Sequence, residues 1–238
     1  MTDAATSTLA SAAEHDGFID KWRLRWPEWQ VAEAFLPRAN RKRWLAWFAV
    51  RQELIDAAWA GADPRPGEAK LGWWSEELQG WAQGRRRHPL GLGLQSLAAP
   101  WGQLATCLPA LAAARGSAEI AALRTTLAPM ATAIAMVDAV LAEPQVPAMQ
   151  PAAAADAILS GLLAQRALLD EDSHLACELL AQWQSQRGER GERIVAALLH
   201  RRLRSRVTGS NPTLPPSHWQ ILAIAWRAAR QQQSVSTA

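Results

Sequence analysis

Two carboxylates near the middle of a helical stretch, Glu53 and Asp56, have the type and spacing to do chemistry. At i and i+3 they share one side of a helix and can hold a divalent cation between them. A hard cation such as magnesium takes oxygen ligands, keeps several waters and bridges carboxylates to phosphates. The stretch Arg51-Gln-Glu-Leu-Ile-Asp-Ala-Ala-Trp59 also offers a guanidinium at Arg51 and an indole at Trp59, with Trp47 one turn before Arg51.

The elements that must position these residues are helical throughout. Ala and Leu dominate, Tyr is absent, and β-branched runs of period two are missing. Proline and glycine supply the breaks, at Pro27, Pro37, Gly61-Ala-Asp-Pro-Arg-Pro-Gly67, Gly84, His88-Pro89, Arg115-Gly116-Ser117, the prolines from 144 to 151, and 208–216. Helices are expected near 17–32, 38–60, 67–83, 90–99, 102–114, 118–142, 152–168, 171–187, 190–206 and 215–231. The chain of 238 residues is 49% hydrophobic and 20% charged, which suits one large globular domain over 17–231 with disordered tails at 1–16 and 232–238.

About a dozen residues beyond Trp59 comes Glu68-Ala-Lys-Leu-Gly-Trp-Trp-Ser-Glu-Glu-Leu78, and then Arg87-His-Pro-Leu-Gly91. With the Arg51–Trp59 stretch, these segments resemble the squalene/phytoene synthase family. In that family an Asp-Asp-x-x-Asp helix precedes a Trp-Trp-x-Glu-Glu-Leu helix and a His-Pro turn. The resemblance covers roughly residues 17–100 and implies an all-α, single-domain, multi-helix bundle of the isoprenoid synthase type. It also implies magnesium, a prenyl diphosphate substrate, and head-to-head condensation of farnesyl or geranylgeranyl diphosphate.

On that pattern the three acidic positions read Ile55, Asp56 and Trp59. Trp59 has only an N–H donor and Ile55 has no polar atom, so Asp56 and Glu53 are left as the catalytic and metal candidates. Arg51, Trp59 and Trp47 are the substrate- or lipid-binding candidates. The family's second acidic motif runs into a Gly-Arg-x-Tyr-Leu-Pro segment, which a chain without tyrosine does not have. Asp138 and Asp156 are lone acids on apolar helices, and Asp170-Glu171-Asp172 reads as a helix start, where acids favour the dipole. All are read as structural.

The expectation is therefore an eroded family member, a pseudoenzyme that binds an isoprenoid-type lipid or a protein partner without condensing prenyl diphosphates. An active prenyltransferase using Mg²⁺ at Glu53 and Asp56 is the alternative, and a purely structural helical interaction protein is the third reading. A formal charge of +3, with Arg interleaved among acids, points away from nucleic acid. Cys107 and Cys177 read as reduced thiols, and the five histidines have no metal-ligand spacing. Residues 1–16 have no secretory pattern, and the uncharged run Pro89–Ala114 is too interrupted by Pro and Gly to span a bilayer. The expected location is cytoplasmic. The basic run His200-Arg-Arg-Leu-Arg-Ser-Arg206 reads first as a solvated helix face, with Glu189 and Glu192 as partners, and second as a peripheral membrane contact. Ten of the thirteen tryptophans fall before residue 102, as core or as the wall of a lipid cavity.

Overall fold

A computed structural model of the chain describes residues 2–142, 151–183, 188–209 and 217–230, with side chains from residue 12 onward except at Pro151. The described residues are all-α. In chain order the α-helices are α1 (Thr2–Arg25), α2 (Trp29–Ala32), α3 (Arg41–Trp59), α4 (Arg65–Ala82), α5 (Trp101–Ala114), α6 (Ile120–Leu141), α7 (Pro151–Leu169), α8 (Ser173–Ala181), α9 (Arg190–Val207) and α10 (His218–Arg230).

Three expectations change. Residues 2–16, expected as a tail, belong to α1; the 232–238 tail lies outside the described residues. The helix expected over 17–32 breaks after Arg25, because the residue before Pro27 is pushed out of helical geometry. The helix expected at 90–99 is a 3₁₀ turn over Pro89–Gly91 followed by further turns, with Gly93 at φ +79°. A glycine in the left-handed region interrupts the helical path there.

From α3 onward, helices adjacent in sequence pack against each other, and α7 also packs on α9. α3 lies inside this array, in contact with α1, α4, α5 and α7. From Trp44 to Trp59 every residue of it except Glu53 and Asp56 is buried, the polar Arg51 and Gln52 included. α4 can lie close to it because residue 67 is glycine: a Cβ there would stand 1.9 Å from the Ala57 carbonyl oxygen. One hydrophobic core runs continuously from α1 to α10. Most of the early tryptophans belong to it, and the gap among Trp22, Trp26, Trp29 and Phe48 is only about 20 Å³. That is room for no more than a water, so these rings are packing and not the wall of a lipid cavity.

The two most distinctive sequence segments meet at Glu77, which is 1% exposed. Its Oε1 accepts from the Trp81 indole (2.7 Å) and from the backbone N–H groups of Arg87 (2.8 Å) and His88 (2.7 Å). Its Oε2 accepts from Arg87 Nε at 3.1 Å. The His88 ring then packs on Phe18, Trp73 and Trp74. The Trp-Trp helix and the His-Pro turn are thus joined by one buried carboxylate.

α6 and α7 contain stretches long and apolar enough, by length and composition, to cross a membrane, over Ile120–Leu141 and Ala152–Leu169. Here they pack on each other and on neighbouring helices, with about half of each stretch buried, as core helices of a bundle also are.

Candidate functional site

Residues two apart on an α-helix point about 200° away from each other. The structure applies this to α3: Glu53 and Asp56 face α1 and α4, whereas Trp47 and Arg51 face α6 and α9. The five candidate residues are therefore not brought to one place.

On the first face every carboxylate already has its cation. Glu53 meets Lys21 Nζ at 3.2 Å and Lys70 Nζ at 2.5 Å. Burial pushes the Glu53 carboxyl up, but the bond and charge of Lys70, and then of Lys21, bring it below the usual carboxylate range. Asp56 Oδ1 accepts from Gln52 Nε2 at 2.8 Å and pairs with Arg25 Nη2 at 3.0 Å. Trp59, where the resemblance places a third acid, is buried and donates its indole N–H to the Leu111 carbonyl at 2.9 Å. Among the described residues no three His, Cys, Asp or Glu side chains gather to hold a metal. Two carboxylates answered by three cations do not fit a magnesium–diphosphate cage, which needs free oxygen donors. The other acids weighed from sequence are also occupied. Asp156 pairs with Arg124 at 3.5 Å, Asp170 with Arg166 at 3.2 Å, and Glu171 with Arg206 at 3.1 Å. Asp172 caps α8 through Leu175 N–H.

The second face is dry. Arg51 is 4% exposed and makes two hydrogen bonds to Glu192 of α9, one of them at 3.2 Å. Trp47 is fully buried, and its indole donates to Asp138 Oδ1 at 2.6 Å. Asp138 itself is 2% exposed, and its Oδ2 has no hydrogen-bond partner among the described residues. Burial, then the like charge of Glu192, push the Asp138 carboxyl well above the usual range, although Arg51 and the Trp47 bond oppose this. The same guanidinium is held above its ordinary value by Glu192 and Asp138, which outweigh its own burial.

Beside Asp138 lies a cavity of about 240 Å³ between α6, α7 and the start of α9. Its walls are Ala135, Met136, Ala139, Ala154 and Ile158, with Asp138, Glu189 and Glu192 as the acidic members and Gly188 completing the lining. Ala139 is exposed and marks the rim. Asp138 borders this cavity, but its unpartnered oxygen is itself buried.

Sequence reasoning treated Asp138 and Glu192 as structural acids and missed this cluster. The available signal was that a lone acid on an otherwise apolar helix is rarely buried without a partner. Finding the partners required contacts across 91 and 141 residues. The basic run of α9 is likewise corrected. Arg204 and Arg206 are exposed, as on a solvated face, but Glu192 is committed to Arg51 and not to this run. Arg202 grips Glu28 at 2.7 Å and stacks on Trp26 at 3.8 Å, and Arg193 donates to the carbonyls of Gly188, Ala228 and Ala229. Around these residues the chain stands without a relative to instruct it: no family model, curated protein or solved structure matches it.

Proposed function

We propose that this chain is a non-condensing binding protein, a helical bundle of the squalene/phytoene synthase type whose diphosphate site has become a set of internal ion pairs. The observation that carries the reading is the occupation of Glu53 by Lys21 and Lys70 and of Asp56 by Arg25 and Gln52. Ionising an allylic diphosphate requires carboxylates free to share metal ions with the leaving group, and these are spent on side chains of the same protein. Under this reading the ligand is an isoprenoid-type lipid or a protein partner. The test is direct: purified protein with magnesium and farnesyl or geranylgeranyl diphosphate releases no diphosphate. Sustained release that is abolished by Asp56→Ala would instead establish the prenyltransferase.

A second reading, contact with a lipid surface, is favoured by α10. Trp219 (79% exposed), Leu222 and Trp226 (46% exposed) stand outward along one side, with Arg227 and Arg230 in the last turn. Indoles flanked by arginine suit the head-group layer of an anionic membrane. Sedimentation with anionic vesicles, weakened by salt and by Trp219→Ala with Trp226→Ala, supports it. A protein left in the supernatant by anionic and zwitterionic vesicles alike removes it.

A further inference from the structure

Side chains that border a space inside a packed bundle lack neighbours on one side, and whatever fills that space restores their dispersion contacts. The α6–α7–α9 cavity, about 240 Å³, is such a space. Short side chains leave it open. Ala135 and Ala139 stand one turn apart on α6, and Ala154 stands one turn before Ile158 on α7. Ala139 is exposed, and Met136 and Ala154 are half-buried, so the space has a mouth on the outside of the bundle. The acids at its border are already engaged. Asp138 gives Oδ1 to the Trp47 indole and keeps Oδ2 buried, Glu192 gives both oxygens to Arg51, and Glu189 has an interaction of its own. A charged guest would shed its water here without gaining a free partner, which is costly. A neutral apolar guest gives up little hydration and gains the missing contacts.

We propose that this cavity binds a small neutral apolar molecule, a single ring or a chain of a few carbons, seated on Ala135, Met136, Ala154 and Ile158. The volume of about 240 Å³ lies below the roughly 300–1,000 Å³ of drug-sized pockets, which limits the guest to that size. Apolar cavities of about 150 Å³ in other proteins stay dry and take up benzene, so the space is sufficient. Met136, unbranched and flexible, lets the wall follow the shape of its occupant. Binding is non-covalent and moves no proton. Such a site deepens the binding role proposed above by naming a guest. Asp138 and Glu192 tie the cavity to the side of α3 away from Glu53 and Asp56, so the diphosphate assay and the titration below fail separately.

The experiment is calorimetric titration of the full chain at neutral pH with toluene, and with benzylamine and benzoate as its cationic and anionic counterparts. The expected result is saturable toluene binding, accompanied by a higher Tm when toluene is present. Both charged analogues should bind at least about tenfold more weakly. Ala154→Leu fills the cavity and should abolish toluene binding while leaving the helical spectrum unchanged. If that variant does not fold, Ala139→Leu at the exposed rim decides the matter, with an expected loss of about tenfold. No saturable toluene binding, equal affinity for either charged analogue, or undiminished toluene binding in whichever variant folds overturns the proposal.

Discussion

The two sides of α3 carry the same chemical groups, carboxylates answered by cations, and differ in how much water reaches them. Toward α1 and α4, Glu53 and Asp56 meet Lys21, Lys70 and Arg25, side chains that are 68%, 42% and 43% exposed. Toward α6 and α9, Arg51 and Glu192 have side chains only 5% and 8% exposed, and Asp138 lies beside them with one oxygen unanswered. Water screens the first set, so each pair there is worth little and can be exchanged cheaply. The second set has no solvent to fall back on: every charge depends on its partner. A motif-based search leads to the wet face, and the chemical tension sits on the dry one.

Breaking the dry pair should have the largest effect. Arg51→Met leaves Glu192 buried and unpaired, and is expected to cost about 3–5 kcal/mol in urea unfolding. Trp47→Phe removes the only described donor to Asp138 Oδ1 and should cost about 1–3 kcal/mol by the same measurement.

The pH dependence separates the faces by sign. Asp138 has a folded pKa raised above its unfolded value, so the folded state holds the extra proton and stability falls as pH rises from about 3.9 toward that raised value. Glu53 has a lowered folded pKa, so its contribution is present above about 4.3 and is lost as pH falls through the folded value. Melting curves across pH should therefore show a decline toward neutrality that disappears in Asp138→Asn, and an acid-side loss that disappears in Glu53→Gln. The smallest effect is expected from Glu53→Gln at neutral pH, a change within about 1 kcal/mol. A loss of several kcal/mol there would show that the two faces are not as different as their exposure implies.

The fold was largely legible because its signals are local. Pro64 and Gly61 mark the junction of α3 and α4, Pro100 precedes α5, and Asp172 caps α8. Residues 90–99 were expected as a helix, and Gly93 in the left-handed region ends it early. Asp156, Asp170 and Glu171 each pair with an arginine, and Asp172 caps α8, in keeping with their isolation or helix-start pattern. The Asp138 cluster was not legible: which charge answers which is decided by packing among α3, α6 and α9, and none of it follows from spacing within one helix. Helical spacing alone did contain one warning, since Arg51 and Glu53 cannot serve one ligand from opposite sides of α3.

Glu77 has a consequence for how one region comes apart. By holding Arg87 and His88 against its own helix it closes a ring of about ten residues, and so acts as a non-covalent cross-link that shortens the chain's freedom between Trp81 and Pro89. Burial raises the Glu77 carboxyl, and the bonds from the His88 and Arg87 backbone, the Trp81 indole and the Arg87 side chain together more than reverse this, leaving it below its ordinary range. Strong acid would protonate the clasp and release this ring as a local unfolding unit. Hydrogen exchange at the Arg87 and His88 amides would report the opening while the tryptophan core around α3 stayed shut.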